Sequence, residues 1–241
     1  MAVIKTDKLT KDYGDVRALD GLDLQIDEGE LFGFIGPNGA GKTTTIKILT
    51  GQTNPTSGSS EVMGIDPVLE PTEVRSKIGI LPEREDPPSF MTPREYFRFV
   101  ADVRGIETVE DRIEEWGERL DFSDRLDTMN MDLSKGEKQK VMITQAFLHE
   151  PELVFIDEPL INLDPVIQEQ VKTFFTDYRE HGNTVFLSTH VMSLAEEVCT
   201  RVGILDRGQM VVERDMDEVE DSLTDVFLTE VERFESSETD D

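Results

Sequence analysis

Short apolar runs and longer helical patterns alternate along the chain, and this alternation predicts its fold class. Continuous apolar runs occupy residues 31–35, 78–81, 153–156 and 184–187. Short runs of this kind, bounded by turn signals, are typical of buried strands in a parallel sheet. Segments with helical periodicity lie between them, so we expect an α/β fold in which crossover helices connect parallel strands.

Two parts of the chain depart from this alternation. Residues 1–30 contain strand-like segments separated by turn signals, which predicts a small N-terminal antiparallel sheet. Residues 87–150 are mostly helical in period and predict an all-helical insertion. The expected units are a core formed by residues 1–86 and 151–215, a helical subdomain at 87–150, and a short acidic C-terminal segment at 216–241. The end of that segment, ESSETDD, is expected to be disordered.

A glycine-rich motif follows the first apolar strand and leads into a predicted helix. The residues GPNGAGKT at 36–43 fit the pattern G-x-x-x-x-G-K-[ST], for which an ordinary glycine-rich turn is the alternative. Backbone N–H groups of such a loop face phosphates, Lys42 reaches the outer phosphates, and Thr43 can ligate Mg²⁺. The motif therefore predicts a nucleoside triphosphate site. The predicted ATP contacts in it are Gly36, Pro37, Asn38, Gly39, Ala40, Gly41, Lys42, Thr43 and Thr44.

The apolar run at 153–156 ends in two carboxylates, Asp157 and Glu158. A buried strand rarely ends on paired acids without a functional reason. Beside a phosphate loop, Asp157 would hold Mg²⁺ and Glu158 would polarise the attacking water. GTPases and small-molecule kinases share the phosphate loop, so these two motifs leave the activity open.

A third motif, LSKGE at 133–137, precedes an amphipathic helix. In the order and spacing of all three motifs, residues 1–215 resemble the ATP-binding cassette (ABC) ATPases, whose signature is usually LSGGQ. The resemblance implies a P-loop NTPase (RecA-like) core and a head-to-tail dimer in which the signature contacts the ATP of the second subunit. The segment also fits a helix capping box, and both interpretations can hold together. The residues expected at the partner's ATP are Ser134, Lys135, Gly136, Glu137 and Asp164.

Smaller matches extend the resemblance. Tyr13 resembles the aromatic residue on which adenine stacks, and Val16 is close enough in sequence to touch the base or ribose. His190 resembles the switch histidine that bonds the γ-phosphate and orients the water. Residues 162–165, which include Asp164, resemble the family loop that touches the opposite subunit, with Asn162 in place of the usual glycine. The implied catalytic residues are Lys42, Glu158 and His190.

Glu83 stands where the family usually has a glutamine whose amide oxygen ligates Mg²⁺. A carboxylate keeps the oxygen, but it loses the NH₂ donor and adds negative charge near the γ-phosphate. We expect Thr43, Glu83 and Asp157 to be the metal ligands; the alternative is that Glu83 is a displaced loop residue among other acids. In the family, this loop also packs against the membrane partner.

The net charge of the chain gives information about its surface and about its partners. The chain has 52 acidic and 24 basic residues, for a net charge of −28. Acid dispersed over predicted helices and loops is typical of a halophilic surface, adapted to concentrated salt. It argues against a nucleic-acid partner, because no basic face is visible to meet phosphates. The single cysteine, Cys199, excludes an internal disulfide.

The resemblance implies the ATP-hydrolysing subunit of a membrane ABC transporter. No apolar run is long enough to span a bilayer, so we expect separate transmembrane permease subunits, with this chain on the cytoplasmic side of the membrane. The C-terminus resembles that of exporter-type cassettes, and the dimer would be a homodimer or a cassette heterodimer. The alternatives are a soluble ABC ATPase acting on ribosomes or chromosomes, and a non-hydrolysing regulatory cassette.

Overall fold

The computed structural model of the protein describes residues 1–83, 86–160, 163–219 and 222–238, and within these parts the strands form two sheets. The antiparallel sheet has the order β2-β1-β4 and consists of β1 (Ala2–Tyr13), β2 (Val16–Asp27) and β4 (Ser57–Val62). The second sheet has six strands, which are β3 (Leu31–Ile35), β5 (Ile78–Leu81), β6 (Leu153–Asp157), β7 (Thr184–Thr189), β8 (Arg201–Asp206) and β9 (Gln209–Asp215).

The six-stranded sheet has the order β5-β6-β7-β3-β8-β9 and is parallel except for its last pair, β8 and β9. Its register aligns Ile35 of β3 with Thr189 of β7, and Asp157 of β6 with Ser188 of β7. The carboxyl ends of β3, β6 and β7 therefore meet at one edge of the sheet, where ligands bind in open α/β folds.

Eight α-helices are described in these parts of the chain. Three of them, α3, α4 and α5, lie in the region predicted to be helical. The helices are α1 (Lys42–Leu49), α2 (Pro71–Lys77), α3 (Pro93–Arg104), α4 (Glu110–Arg119), α5 (Lys135–Phe147), α6 (Pro165–Glu180), α7 (Met192–Val198) and α8 (Leu223–Glu238). The predicted α/β fold with an antiparallel sheet and a helical region is confirmed.

The central strand β3 contributes to hydrophobic clusters on both faces of the six-stranded sheet. Phe32 and Phe34 belong to the cluster that also contains residues of the antiparallel sheet, and both rings pack against Phe186. Leu31 and Ile35 belong to the cluster that contains the helices. This alternation is the consequence of the two-residue period of a strand, and it buries both faces of the sheet.

The C-terminal segment differs in part from the expectation of disorder. Residues 235–238 belong to α8, while 239–241 lie outside the described residues. The first residue of the helix, Leu223, is fully buried, and its N–H donates a hydrogen bond to the carboxylate of Glu196 on α7. This attachment holds the start of α8 against the core, which an acidic sequence pattern does not reveal.

In the described parts of the chain, no helix combines the length and the apolar character needed to cross a bilayer. Cys199 is buried against Gly33 of β3, and burial raises the pKa of its thiol. It therefore behaves as a small core residue. The unit boundaries near residues 86, 150 and 215 stay predictions.

Candidate functional site

The glycine-rich loop lies between β3 and α1, and its glycines stand at positions where a side chain would clash or strain the backbone. Gly39 and Gly41 have φ angles of 86° and 113°, a region that L-residues rarely adopt. A Cβ atom at Gly41 would lie 2.5 Å from the carbonyl oxygen of Ala18, and one at Gly36 would lie 2.2 Å from that of Leu205. The glycines therefore allow close backbone approach as well as the turn.

Lys42 begins α1, and its ammonium group is directed back into the loop. Nζ donates hydrogen bonds to the carbonyl oxygens of Gly36 at 2.6 Å and Pro37 at 3.1 Å. The side chain is buried, and this burial lowers its pKa, while the carboxylates of Glu158, Asp157 and Glu83 act in the opposite direction. The loop is thus held around a cation that faces three acids.

Thr43 and Asp157 connect the loop to β6. Thr43 Oγ1 donates a hydrogen bond of 2.8 Å to Asp157 Oδ2, across 114 positions of sequence. Asp157 is buried at 4% exposure, so its carboxylate depends on such partners. A hydroxyl and a carboxylate in contact supply two hard oxygen ligands, as Mg²⁺ prefers.

Glu158 follows Asp157 with a φ of 54°, a left-handed backbone that turns its side chain toward β7. Its Oε1 accepts a hydrogen bond from the His190 N–H at 3.0 Å and lies 2.6 Å from His190 Nδ1. Its Oε2 accepts a bond of 3.3 Å from Thr189 Oγ1. The carboxylate is almost completely buried, whereas 48% of the His190 side chain is exposed.

These groups surround one cavity of about 370 Å³. Most of the predicted ATP, metal and catalytic residues lie on its wall, including Glu83, whose carboxylate is near enough to raise the pKa of Lys42. The complete lining consists of Ala18, Asn38, Gly39, Gly41, Lys42, Thr43, Thr44, Glu83, Asp157, Glu158 and His190. Gly36, Pro37 and Ala40 also belong to the loop, but they do not line the cavity.

Tyr13 and Val16 form the tip of the hairpin between β1 and β2, where they are paired in register. Their side chains are 48% and 66% exposed and are not part of the cavity wall. The Nζ atom of Lys11 lies 4.8 Å from the centre of the Tyr13 ring. An exposed ring can receive a base by stacking, so the adenine contact stays a prediction.

The signature segment is a capping box at the start of α5, as one of the two interpretations predicted. Ser134 Oγ accepts the Glu137 N–H at 3.2 Å, and Glu137 Oε2 accepts the Ser134 N–H at 2.7 Å. That second bond lowers the pKa of Glu137, and Arg125 pairs with its carboxylate at 2.9 Å. Ser134 and Lys135 are exposed. Neither they nor Gly136 and Glu137 line the cavity of their own chain.

Asp164 has a local structural role that sequence reasoning did not assign. Its Oδ1 accepts the N–H groups of Val166 and Ile167, both at 3.1 Å, and so caps α6. The residue is exposed, which leaves its predicted contact with a second subunit open. Asn162 lies outside the described residues.

Sequence reasoning also missed residues that support the site. Ala18 lines the cavity, and Thr189 holds the Glu158 carboxylate. Gln139 donates to the Pro159 carbonyl at 3.0 Å, and Gln168 donates to the Leu160 carbonyl at 3.2 Å, which fixes the segment after Glu158. Only Thr189 had a sequence signal, because it stands beside His190 at the end of an apolar run.

A strand, a glycine-rich loop and a helix starting with lysine and threonine, facing an Asp-Glu strand end, define a P-loop NTPase. The family model described as "ABC transporter" matches residues 19–161. The chain belongs to this family and is an ATP-binding, ATP-hydrolysing subunit of the ABC transporter type.

Relatives and solved structures agree with this assignment. An uncharacterized ABC transporter ATP-binding protein of Bacillus subtilis, YhaQ, is 37% identical, over 91% of this chain and 74% of its own length. The bacitracin transport ATP-binding protein BcrA of Bacillus licheniformis is 35% identical, over 88% of this chain and 69% of its own. A solved ATP-binding subunit of an ABC transporter superimposes with a TM-score of 0.90 at 29% identity, covering 95% of this chain and 99% of that one.

Proposed function

We propose that this chain binds Mg·ATP in the 370 Å³ cavity and hydrolyses it with Glu158 as the general base. One observation carries the proposal: the phosphate loop, Asp157, Glu158 and His190, distant in sequence, converge on that cavity. A lysine, a hydroxyl and two carboxylates at one strand edge are the groups that phosphoryl transfer to water requires.

The donor set fits a magnesium ion that is shared with the nucleotide. Magnesium is usually held by one or two carboxylates together with substrate phosphates. Thr43, Asp157 and Glu83 supply oxygen atoms on the cavity wall, while the loop N–H groups and Lys42 face the phosphates. When bound, the ion would neutralise phosphate charge and polarise the transferred phosphoryl group.

Glu158 is positioned to accept a proton from the attacking water. Thr189 and His190 hold the two oxygens of its carboxylate, so the base is oriented before ATP arrives. The half-exposed His190 ring can then bond to the γ-phosphate and hold the water in line. Burial of the carboxylate strengthens these interactions by removing competing solvent.

A second copy of a cassette would complete the site. The capped start of α5 carries Ser134 and Lys135 on an exposed surface, outside the cavity of its own chain. A helix N-terminus with a nearby lysine suits an anion. We infer a head-to-tail dimer, with a like or a related cassette, in which two ATP molecules lie between phosphate loop and signature.

We further infer that the chain works with separate permease subunits at the inner face of the cell membrane. The names of several relatives support an export role: bacitracin transport, Nod factor export in Cupriavidus and Rhizobium, and a probable multidrug transporter of Escherichia coli. No observation favours a ribosomal or chromosomal role or a cassette that does not hydrolyse ATP.

The acidic surface supports adaptation to concentrated salt. A net charge of −28 destabilises a compact chain by self-repulsion at low ionic strength. Salt near 1 M shortens the Debye length to roughly 3 Å and removes most of that repulsion.

Phosphate release by a Glu158→Gln variant tests the catalytic assignment. The variant keeps the size and one acceptor oxygen of the side chain but cannot take a proton from water, so we expect hydrolysis to fall by at least about 100-fold. ATP affinity is expected to be unchanged. The matched control is Glu152→Gln, which removes an exposed acid immediately before β6.

The control should hydrolyse ATP at the rate of the unmodified chain. If Glu158→Gln does the same, Glu158 is not the base and the proposed mechanism is wrong.

A further inference from the structure

The loop that follows β5 is bonded directly to the segment that precedes the signature. Within residues 86–91 and 129–134, Asn130 N–H donates to the Met91 carbonyl at 2.8 Å, and Met131 N–H donates to the Ser89 carbonyl at 3.2 Å. A third bond, of 3.0 Å, runs from Asn130 Nδ2 to the Pro88 carbonyl. The loop and the start of α5 are therefore joined at several points.

A charged pair extends this contact onto α5 itself. Lys138 Nζ lies 3.2 Å from Asp86 Oδ2, at the first described residue of the loop. Lys138 lies four positions after Ser134, so the pair ties the first turn of the signature helix to the loop. Glu83, on the cavity wall, is only three positions before Asp86.

Asn130 supplies the buried polar side chain of this contact. Its side chain is completely buried, and within the described residues Oδ1 accepts no hydrogen bond. A buried acceptor without a partner is destabilising, so an apolar residue of the same size would be at least as stable there. The Pro88 carbonyl would keep a partner in that case, because it also accepts the Met91 N–H at 3.2 Å.

We propose that Asn130 is a positioning residue for ATP hydrolysis: its amide fastens the loop 86–91 to the start of α5, so that the loop and the signature residues move together. This inference rests on the proposed dimer, in which the signature meets the partner's ATP. A displacement of the loop, by a protein docked on it or by the metal site near Glu83, would then change where Ser134 lies.

The first test compares Asn130→Leu with a matched control, Thr144→Val, in the full chain. The control also removes one buried side-chain bond to a backbone carbonyl, that of Thr144 Oγ1 to Lys140, but it lies within α5 and does not touch the loop. For Asn130→Leu we expect kcat to fall about threefold to tenfold, the factor set by one net hydrogen bond. ATP affinity should be unchanged and Tm unchanged or higher. Thr144→Val should keep kcat and lose Tm.

A purely structural role for Asn130 predicts the opposite pattern, which is a lower Tm with kcat unchanged. That result, or an equal loss of kcat in Thr144→Val, overturns the proposal. A second pair of variants keeps the test independent of the leucine side chain. Lys138→Asp places two acids together and should lower kcat, and Asp86→Lys added to it should restore kcat by recreating the pair. A double variant as slow as Lys138→Asp alone also counts against the proposal.

Dimerisation separates this inference from the proposed function. In a Glu158→Gln background with ATP present, adding Asn130→Leu should weaken the dimer. A higher protein concentration should then be needed for half of the chains to dimerise. If Glu158→Gln itself stays monomeric with ATP, the proposed dimer is wrong and the positioning role of Asn130, which rests on it, is overturned with it. If the dimer forms equally well with and without Asn130→Leu, and kcat is also unchanged, only the positioning role is overturned.

Discussion

Glu158 is held in a conformation that ordinary strand geometry does not provide. Its φ of 54° turns the carboxylate toward Thr189 and His190 at the end of the neighbouring strand. A non-glycine residue in this region costs of order 1 kcal/mol, which the three bonds to its carboxylate offset. The sequence indicated the acid and the histidine as functional residues, but the left-handed turn depends on contacts that no local pattern encodes.

Glu83 is a predicted metal ligand whose residue type departs from that of the family. The cavity wall includes it, and its charge acts on Lys42; its role as a metal ligand stays a prediction. The sequence could predict this position, because it directly follows the β5 strand and Pro82. Its neighbours in the loop, 84 and 85, lie outside the described residues.

Glu83→Gln should raise the Mg²⁺ concentration that gives half-maximal hydrolysis, by about tenfold. The substitution keeps one ligand oxygen but removes a negative charge from the metal site, and a neutral amide oxygen holds a divalent cation more weakly than a carboxylate does. The measurement is phosphate release as a function of Mg²⁺ at fixed ATP. Glu107→Gln, at an exposed acid outside the cavity, is the charge-matched control. Identical Mg²⁺ curves for the two variants would show that the charge of Glu83 does not contribute to metal binding.

At the scale of elements, apolar strands with flanking motifs could be predicted and polar strands could not. The runs at 31–35, 153–156 and 184–187 became β3, β6 and β7, because continuous apolar residues fit a sheet covered on both faces. The strand β4 reads SGSSEV, and only Ser60 and Val62 of it are buried. Its strand conformation comes from antiparallel pairing with β1, which is distant in sequence.

One partly buried histidine links two of these elements. His149 follows α5, and its Nε2 lies 3.0 Å from the Ile78 carbonyl at the start of β5. Burial, together with the positive charges of Arg104 and Arg112, lowers the pKa of His149 from 6.5 to about 4, against the opposing effect of the Ile78 bond. The folded protein therefore keeps this ring neutral at pH values where the unfolded chain protonates it.

Stability should consequently fall as pH decreases from about 6.5 toward 4, because the unfolded state gains the proton first. We expect unfolding in urea at pH 7 and pH 5 to show a loss roughly 1–2 kcal/mol larger for the unmodified chain than for His149→Gln, since glutamine does not titrate. Protonation of the many carboxylates affects both proteins equally and cancels in this comparison. His181→Gln, at an exposed histidine, should behave like the unmodified chain. Equal pH dependence in the His149→Gln protein would contradict the assignment.

At the scale of the whole molecule, the ATP site lies at the carboxyl ends of the parallel strands, between the two hydrophobic clusters. The signature helix α5 starts outside that site. The cluster that contains α3, α4 and α5 also contains residues of β6 and α6, so the helical region packs on the core through a shared interior. Composition predicted the acidic surface, but how two such surfaces would meet depends on shape and salt. Two chains of charge −28 repel one another unless salt screens them.

The state of association of Glu158→Gln with Mg·ATP tests the ATP-sandwich account most directly. Molar mass from light scattering would be measured with and without Mg·ATP, in about 1 M and about 0.1 M KCl, where the Debye length is roughly 3 Å and 10 Å. We predict a monomer without nucleotide, a dimer with Mg·ATP in the higher salt, and weaker association in the lower. Equal dimerisation at both salt concentrations would contradict only the adaptation to salt. A protein that stays monomeric at saturating Mg·ATP in the higher salt would contradict the sandwich itself.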